Sequence, residues 1–199
     1  MDVAVCFSGG KDSALAALLL EPHYEVRLVG CTFGITDDHE HARDAAAALD
    51  LPFETVTLDR SVAEAAVERL VTDGYPRNAI QRVHEHALER VATAYPALAD
   101  GTRRDDRVPA VDRPFVQSLQ DRHGVSYLRP LAGFGRDAVD DLAERLLTVE
   151  TGPSEDVPKG DYEAELRTLL ADEHGRDAVC EVFPEHVQSR VRGRACEAA

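Results

Sequence analysis

Apolar runs and amphipathic stretches alternate along this chain, and the period of the pattern changes from one segment to the next. Val3-Ala4-Val5-Cys6-Phe7 is a short apolar run with β-branched residues, which predicts a buried strand. Ala14 to Leu20 is built of strong helix formers. Val26 to Phe33 predicts a second strand and Phe53 to Leu58 a third. Between them, His39 to Leu49 sets Ala42, Ala45, Ala46 and Leu49 on one helical face. Ser61 followed by Glu64 reads as a capping box ahead of a stripe of Ala63, Ala66, Val67 and Leu70. Asn78 with Gln81 opens another helix, whose apolar face carries Ile80, Val83, His84, Ala87, Leu88 and Val91. Ala97 to Thr102 predicts a short strand running into a polar loop, and Val125 to Leu128 a fifth strand. Asp137 is placed to cap a helix carrying Val139, Leu142, Ala143 and Leu146. Strands and helices in this alternation imply a parallel sheet covered on both faces, an α/β fold. Thr151 to Gly160 is rich in Pro, Gly, Ser and acidic residues and reads as a linker. Asp161 then caps a helix with Tyr162, Leu166, Leu169 and Leu170, and Phe183 to Arg194 concentrates Arg190, Arg192 and Arg194. Such a tail is too short for a domain and is expected to fold back onto the sheet or complete a neighbour's site.

Composition narrows the class. With 199 residues, 44% of them hydrophobic, there is enough chain for one core. The expected division is an α/β domain over residues 1–150, with a linker and a short helical extension over 151–199 packed on it. No apolar stretch approaches the roughly 18 residues of a membrane span, and no signal-peptide pattern is present. A soluble cytoplasmic protein with no membrane partner is the expectation. The net charge is −15, and Lys11 and Lys159 are the only lysines; every other basic residue is arginine. Acidic excess with scarce lysine suits a salt-accumulating, halophilic cytoplasm, where carboxylates keep the surface hydrated. Molar salt cuts the Debye length to about 3 Å, so the acidity argues only mildly against a nucleic-acid partner. Cys6, Cys31, Cys180 and Cys196 have no zinc-like spacing and read as reduced thiols, with Cys6 in the core. His84, on an apolar helical face, reads as a satisfied core histidine before a ligand. His39 and His41, after Asp37-Asp38, fit a solvated helix start, and Gly133-Phe134-Gly135 lacks the third glycine of a dinucleotide fingerprint.

The chemistry is concentrated in Ser8-Gly9-Gly10-Lys11-Asp12-Ser13, between the first strand and the first helix. Two glycines at a strand-to-helix turn let the backbone approach a ligand closely, and the helix start offers unpaired N–H groups at the positive end of its dipole. Ser8 and Ser13 add hydroxyls and Lys11 a mobile cation. Asp12 in an anion site calls for a cation accompanying the phosphates, for which Mg²⁺ is the natural choice. The run lacks the Walker spacing. It resembles instead the SGGxDS signature of the PP-loop ATP pyrophosphatases, which cleave ATP between the α and β phosphates. That resemblance implies a doubly wound, HUP/Rossmann-like sheet of five parallel strands in the order 3-2-1-4-5, with the ligand at the switch point between strands one and four. Asp100-Gly101-Thr102-Arg103-Arg104-Asp105-Asp106-Arg107 resembles the second family signature, a Gly-Thr or Gly-His pair followed by Asp-Asp.

By the same resemblance, Asp106 or Asp105 would ligate Mg²⁺ together with Asp12. Arg103, Arg104 or Arg107 would clamp phosphates. Gly101 and Thr102 would stand beside them, and Cys31, Thr32 and Phe33 would hold the adenine through the backbone. Lys11, Asp12 and Asp106 would carry the catalysis, with ATP as the nucleotide. Other fragments, among them Asp73-Gly74-Tyr75-Pro76, Arg129-Pro130-Leu131, Lys159-Gly160-Asp161-Tyr162-Glu163 and His186 with Gln188-Ser189-Arg190, look like an archaeal PP-loop group described as predicted tRNA 2-thiouridylate methyltransferase-type subunits. The reaction implied is adenylation of an acceptor with release of pyrophosphate, in tRNA modification of the thiolation type, with tRNA as a partner and a homodimer left open. Thiolating relatives commonly carry paired cysteines near the site; here only Cys31 is expected close by. Two alternatives stand beside this reading: adenylation and amidation of a small carboxylate or amide, and a non-catalytic nucleotide sensor of the universal-stress type.

Overall fold

A computed structural model describes residues 1–154 and 156–195; Cys196 lies outside the described residues. Five parallel strands form the central sheet: β1 (Asp2–Cys6), β2 (Glu25–Thr32), β3 (Phe53–Thr57), β4 (Ala97–Ala99) and β5 (Ser126–Leu128), in the order β3-β2-β1-β4-β5. The order expected from the two signatures is the order found. Val3 pairs with Val26 and Ala4 with Leu98, so β1 lies between β2 and β4, and the chain reverses its direction of winding there.

Strand alternation sorts side chains to two covered faces. Val3, Val5, Val26, Leu28, Ala97 and Ala99 point to the face covered by α1 (Lys11–Leu20), α2 (His39–Ala48) and α6 (Arg136–Leu146). Ala4, Val29, Cys31 and Leu98 point to the other, covered by α3 (Arg60–Asp73), α4 (Arg77–Ala92), α5 (Arg113–His123), α7 (Tyr162–His174) and α8 (Arg176–Val182). The alanines at 42, 45 and 46 let α2 lie close to the sheet, each of them almost fully buried.

Several local expectations are corrected. α3 starts at Arg60 behind Asp59, so Ser61 lies inside the helix and makes no capping box. α4 starts behind Pro76, one residue before Asn78 would have started it. α6 starts behind Gly135, and its first N–H, that of Arg136, is met at 2.9 Å by the carboxylate of Asp105 from a distant loop; Asp137 sits in the first turn. Asp161 does cap α7, accepting from the Ala164 N–H at 3.1 Å. α5 carries no apolar stripe in the sequence, since its only buried residue is Leu119.

The largest difference lies at the C-terminal end. The stretch read as a linker begins with strand residues: β6 (Leu147–Pro153) pairs antiparallel with β7 (Val187–Arg194). Strand β7 and the segment before α7 both bind the first signature directly. Val191 N–H donates to the Gly9 carbonyl at 2.8 Å, and Gly160 N–H to the Ser8 carbonyl at 3.0 Å. Arg190 pairs with Asp44 at 3.0 Å, Arg194 with Glu21 at 2.8 Å, and Arg192 with Glu150. The three arginines of the tail are thus paired with carboxylates of their own chain.

Candidate functional site

The two signature segments meet at the carboxyl ends of β1 and β4. Gly101 passes so close to the start of α1 that a Cβ there would lie 2.7 Å from the Ser13 nitrogen. Arg103 reaches back to Asp12 at 3.2 Å. Around this junction opens a cleft of about 910 Å³. Ser8, Lys11, Asp12, Ser13, Cys31, Gly101, Thr102, Arg103 and Asp106 line it, as do Lys159, Tyr162 and Ser189 from the C-terminal segment.

The loop does less with its glycines than the motif suggests. Gly9 has φ +83°, a left-handed conformation that favours glycine, whereas Gly10 is extended at φ −80° and caps α1 without a side-chain bond. A Cβ on Gly10 would come within 3.4 Å of Lys159 Cε, so that lysine already crosses the space beside the loop. The Ser13 hydroxyl turns back to the Gly10 carbonyl at 3.1 Å. The Lys11 N–H, a donor that points out from the helix start, is met at 3.2 Å by the hydroxyl of Ser189 on β7.

Charge at the site is mixed and mutually anchored. Lys11 Nζ lies 2.7 Å from Asp12 and 3.2 Å from Asp140. Arg103, 8% exposed at its side chain, gathers Asp12, Asp105 and Asp106. Burial pulls its guanidinium down, but those carboxylates more than offset this and hold it above its usual value. Lys159 pairs with Asp161 at 2.7 Å. Desolvation lowers its ammonium, and the charges of Asp161, Glu163 and Asp12 return it above the usual lysine range, so it stays charged. Both lysines of the chain thus stand in one cleft, in a protein that otherwise uses arginine for its basic side chains.

Some expected residues stand elsewhere. Thr32 and Phe33 lie outside the cleft, because Glu165 of α7, 2% exposed, takes their donors: Thr32 Oγ1 at 2.9 Å, Phe33 N–H at 2.8 Å and Ile35 N–H at 2.9 Å. Asp105 faces Arg136 and lies outside the lining. Cys6, expected in the core, lines the cleft beside Cys31. Its thiol is pushed well up, first by the hydrogen bond with Cys31 and then by burial. Among the described residues, no group of three or more His, Cys, Asp or Glu stands close enough to hold a metal ion.

Sequence reasoning missed Lys159, Tyr162 and Ser189 as cleft residues, although Lys159 carried a signal as one of two lysines. His84 is buried, as expected, but it too lines the cleft.

A parallel sheet of this order, with its cleft at the strand ends where the winding reverses, defines a Rossmann-like α/β protein. Within that class the chain belongs to a family of unknown function, DUF7411, whose pattern matches residues 1–193. It is similar to uncharacterized protein MJ0690 of Methanocaldococcus jannaschii, 42% identical over 194 residues, covering 97% of this chain and 96% of that protein. It is also similar to a solved structure from Methanocaldococcus jannaschii described as a predicted subunit of tRNA methyltransferase, with 40% identity, TM-score 0.90, and coverage of 99% of this chain and 100% of that one. The U34-tRNA thiolase NcsA of Methanococcus maripaludis, solved with its [4Fe-4S] cluster, aligns over 72% of this chain and 56% of its own at 22% identity and TM-score 0.46. Among the described residues no helix is long and apolar enough to cross a membrane.

Proposed function

We propose that this protein is a PP-loop-type enzyme that binds ATP in the cleft and cleaves it between the α and β phosphates, adenylating an acceptor in tRNA modification. The observation that carries this reading is the meeting of Lys11, Lys159 and Arg103, drawn from three distant segments, at the N-terminus of α1. Three cations at a helix start suit a polyphosphate. The name of the relative with TM-score 0.90 supports tRNA as the acceptor. In this reading Lys11 exchanges its partners Asp12 and Asp140 for phosphate oxygens, and Arg103 holds Asp12 in place. Mg²⁺ would be held by Asp12, with Asp106 as a second donor, and would neutralise charge on the departing pyrophosphate. Ser189 gives up the Lys11 N–H to a phosphate. The protein positions and stabilises charge, and no covalent intermediate is required.

A second reading, adenylation of a small carboxylate or amide, is favoured by Asp140 and Glu144 lining the same cleft, since acidic residues repel a polyanionic acceptor. The test incubates the protein with ATP, Mg²⁺ and tRNA from cells lacking this gene, and separately with a panel of small carboxylic acids. Pyrophosphate release with the AMP moiety carried on the tRNA, both lost in Asp12→Asn with the fold retained, is the expected result. Release of ADP, or ATP binding with no turnover under any acceptor, rejects the adenylation chemistry.

A further inference from the structure

One buried run of polar side chains enters the cleft without a part in holding ATP. Asp100, 2% exposed at the end of β4, accepts at Oδ1 from the Thr102 N–H at 3.0 Å and the Thr102 hydroxyl at 2.6 Å. Its Oδ2 accepts from the Tyr127 hydroxyl at 2.7 Å and lies 2.9 Å from His84 Nε2. Burial pushes the Asp100 carboxyl up, but the hydrogen bond and charge of His84, then the hydroxyls of Thr102 and Tyr127, bring it below its usual value, so it is a carboxylate. A carboxylate only accepts, so Nε2 of His84 carries a hydrogen. In the neutral ring Nδ1 is then the acceptor, and the Tyr162 hydroxyl lies 2.9 Å from it.

This order, carboxylate to imidazole to hydroxyl, has a direction. Asp100 fixes the tautomer of His84, and His84 aims a basic nitrogen at Tyr162, which lines the cleft on the same α7 start that follows Lys159. A network serving stability alone has no need to end in the cleft. We propose that Asp100, His84 and Tyr162 form a proton relay, with Tyr162 the catalytic residue that takes the acceptor's proton and His84 and Asp100 the residues that position and charge-balance it. The proposal rests on the adenylation reading above and names the proton path that the reading leaves open.

The phenol of Tyr162 is pushed well above its usual range, first by burial and then by the charge of Asp161 and the neighbouring Cys6, Cys31 and Asp100, so it stays protonated and works as a conduit. As the acceptor atom forms its bond to the α-phosphorus, the bond from that phosphorus to the bridging oxygen breaks, and its electron pair leaves with pyrophosphate. The acceptor's proton moves to the Tyr162 oxygen while the phenolic proton moves to His84 Nδ1. The resulting imidazolium is held by the Asp100 carboxylate until the proton is lost to solvent.

The test uses the full chain, ATP, Mg²⁺ and tRNA from cells lacking this gene, with Tyr162→Phe, His84→Gln and the double variant. Thermal unfolding confirms each fold, and calorimetry with a non-hydrolysable ATP analogue reads nucleotide binding. Tyr162→Phe is expected to bind the analogue within about twofold of the parent, keep KM for ATP, and lose about 100-fold or more in kcat for pyrophosphate release. The double variant is expected to be no slower than the slower single variant, because both changes interrupt one path. A Tyr162→Phe protein with parental kcat, or losses that multiply in the double variant, overturns the relay and leaves the adenylation reading standing. A parent protein that binds the analogue but releases no pyrophosphate overturns that reading, and the relay falls with it.

Discussion

Replacing Gly101 by alanine tests the junction on which the site depends. A Cβ at this position would lie 2.7 Å from Ser13 N, 2.8 Å from the Asp12 carbonyl carbon and 2.9 Å from Ser13 Cα. All three are backbone atoms at the start of a helix, so no side-chain rotation relieves the contact. Reaching an ordinary separation of about 3.5 Å needs a displacement of roughly 0.8 Å between the β4 loop and α1. Overpacking of this kind costs about 1–3 kcal/mol. At about 2–4 °C per kcal/mol for a chain of this size, Tm should fall by roughly 2–12 °C. The same displacement draws Arg103 off Asp12, at present 3.2 Å apart, and should weaken binding of a non-hydrolysable ATP analogue about 10-fold or more. Thermal unfolding by circular dichroism reads the first effect and titration calorimetry the second. Gly133→Ala is the control, since a Cβ there meets nothing within 4 Å, and it should stay within about 0.5 kcal/mol of the parent. If Gly101→Ala melts and binds like that control, β4 and α1 are not in contact as described, and the two signatures do not share a cleft.

Glu165→Ala should destabilise the protein by about 3 kcal/mol or more, because it strands the Thr32 hydroxyl and the Phe33 and Ile35 N–H groups, all now bound to one buried carboxylate. Chemical denaturation measures this, and a loss under about 1 kcal/mol would show that the end of β2 does not need α7. Asp100 gives a pH dependence with a definite sign. Its carboxyl titrates lower in the folded protein than in the unfolded chain, so the stability it contributes is present above about pH 4 and is lost as pH falls through the lower folded value. Removing its strongest partner in His84→Gln should make the acid-side loss of unfolding free energy shallower, and an unchanged slope in an acid titration would contradict the assigned pairing.

The core sheet was legible in the residues because its physics is local. Strands such as β1 are buried on both faces over Val3, Ala4 and Val5 and read as unbroken apolar runs, and a helix like α2 shows its alanine face at the right spacing. The glycine loop and the Gly101 turn were legible for the same reason, each being a short stretch whose backbone must turn. What stayed hidden depends on partners far away in the chain. Thr151, Gly152 and Pro153 look like linker residues until Ser189, Gln188 and Val187 pair with them. No periodicity in either strand announces the other, because half-exposed strands take their propensity from their neighbours.

The alternation of the five sheet strands with α1 to α4, α6 and α7, the two glycine-bearing turns and the presence of just two lysines were thus determined by the sequence alone, since propensity, apolar period and composition are properties of neighbouring residues. Tertiary structure alone decided that β7 and Gly160 bind the first loop, that Glu165 closes the end of β2, and that Lys159, Tyr162 and Ser189 enter the cleft. Which polar group meets which across more than a hundred residues is set by how the faces pack, and no local preference encodes that meeting.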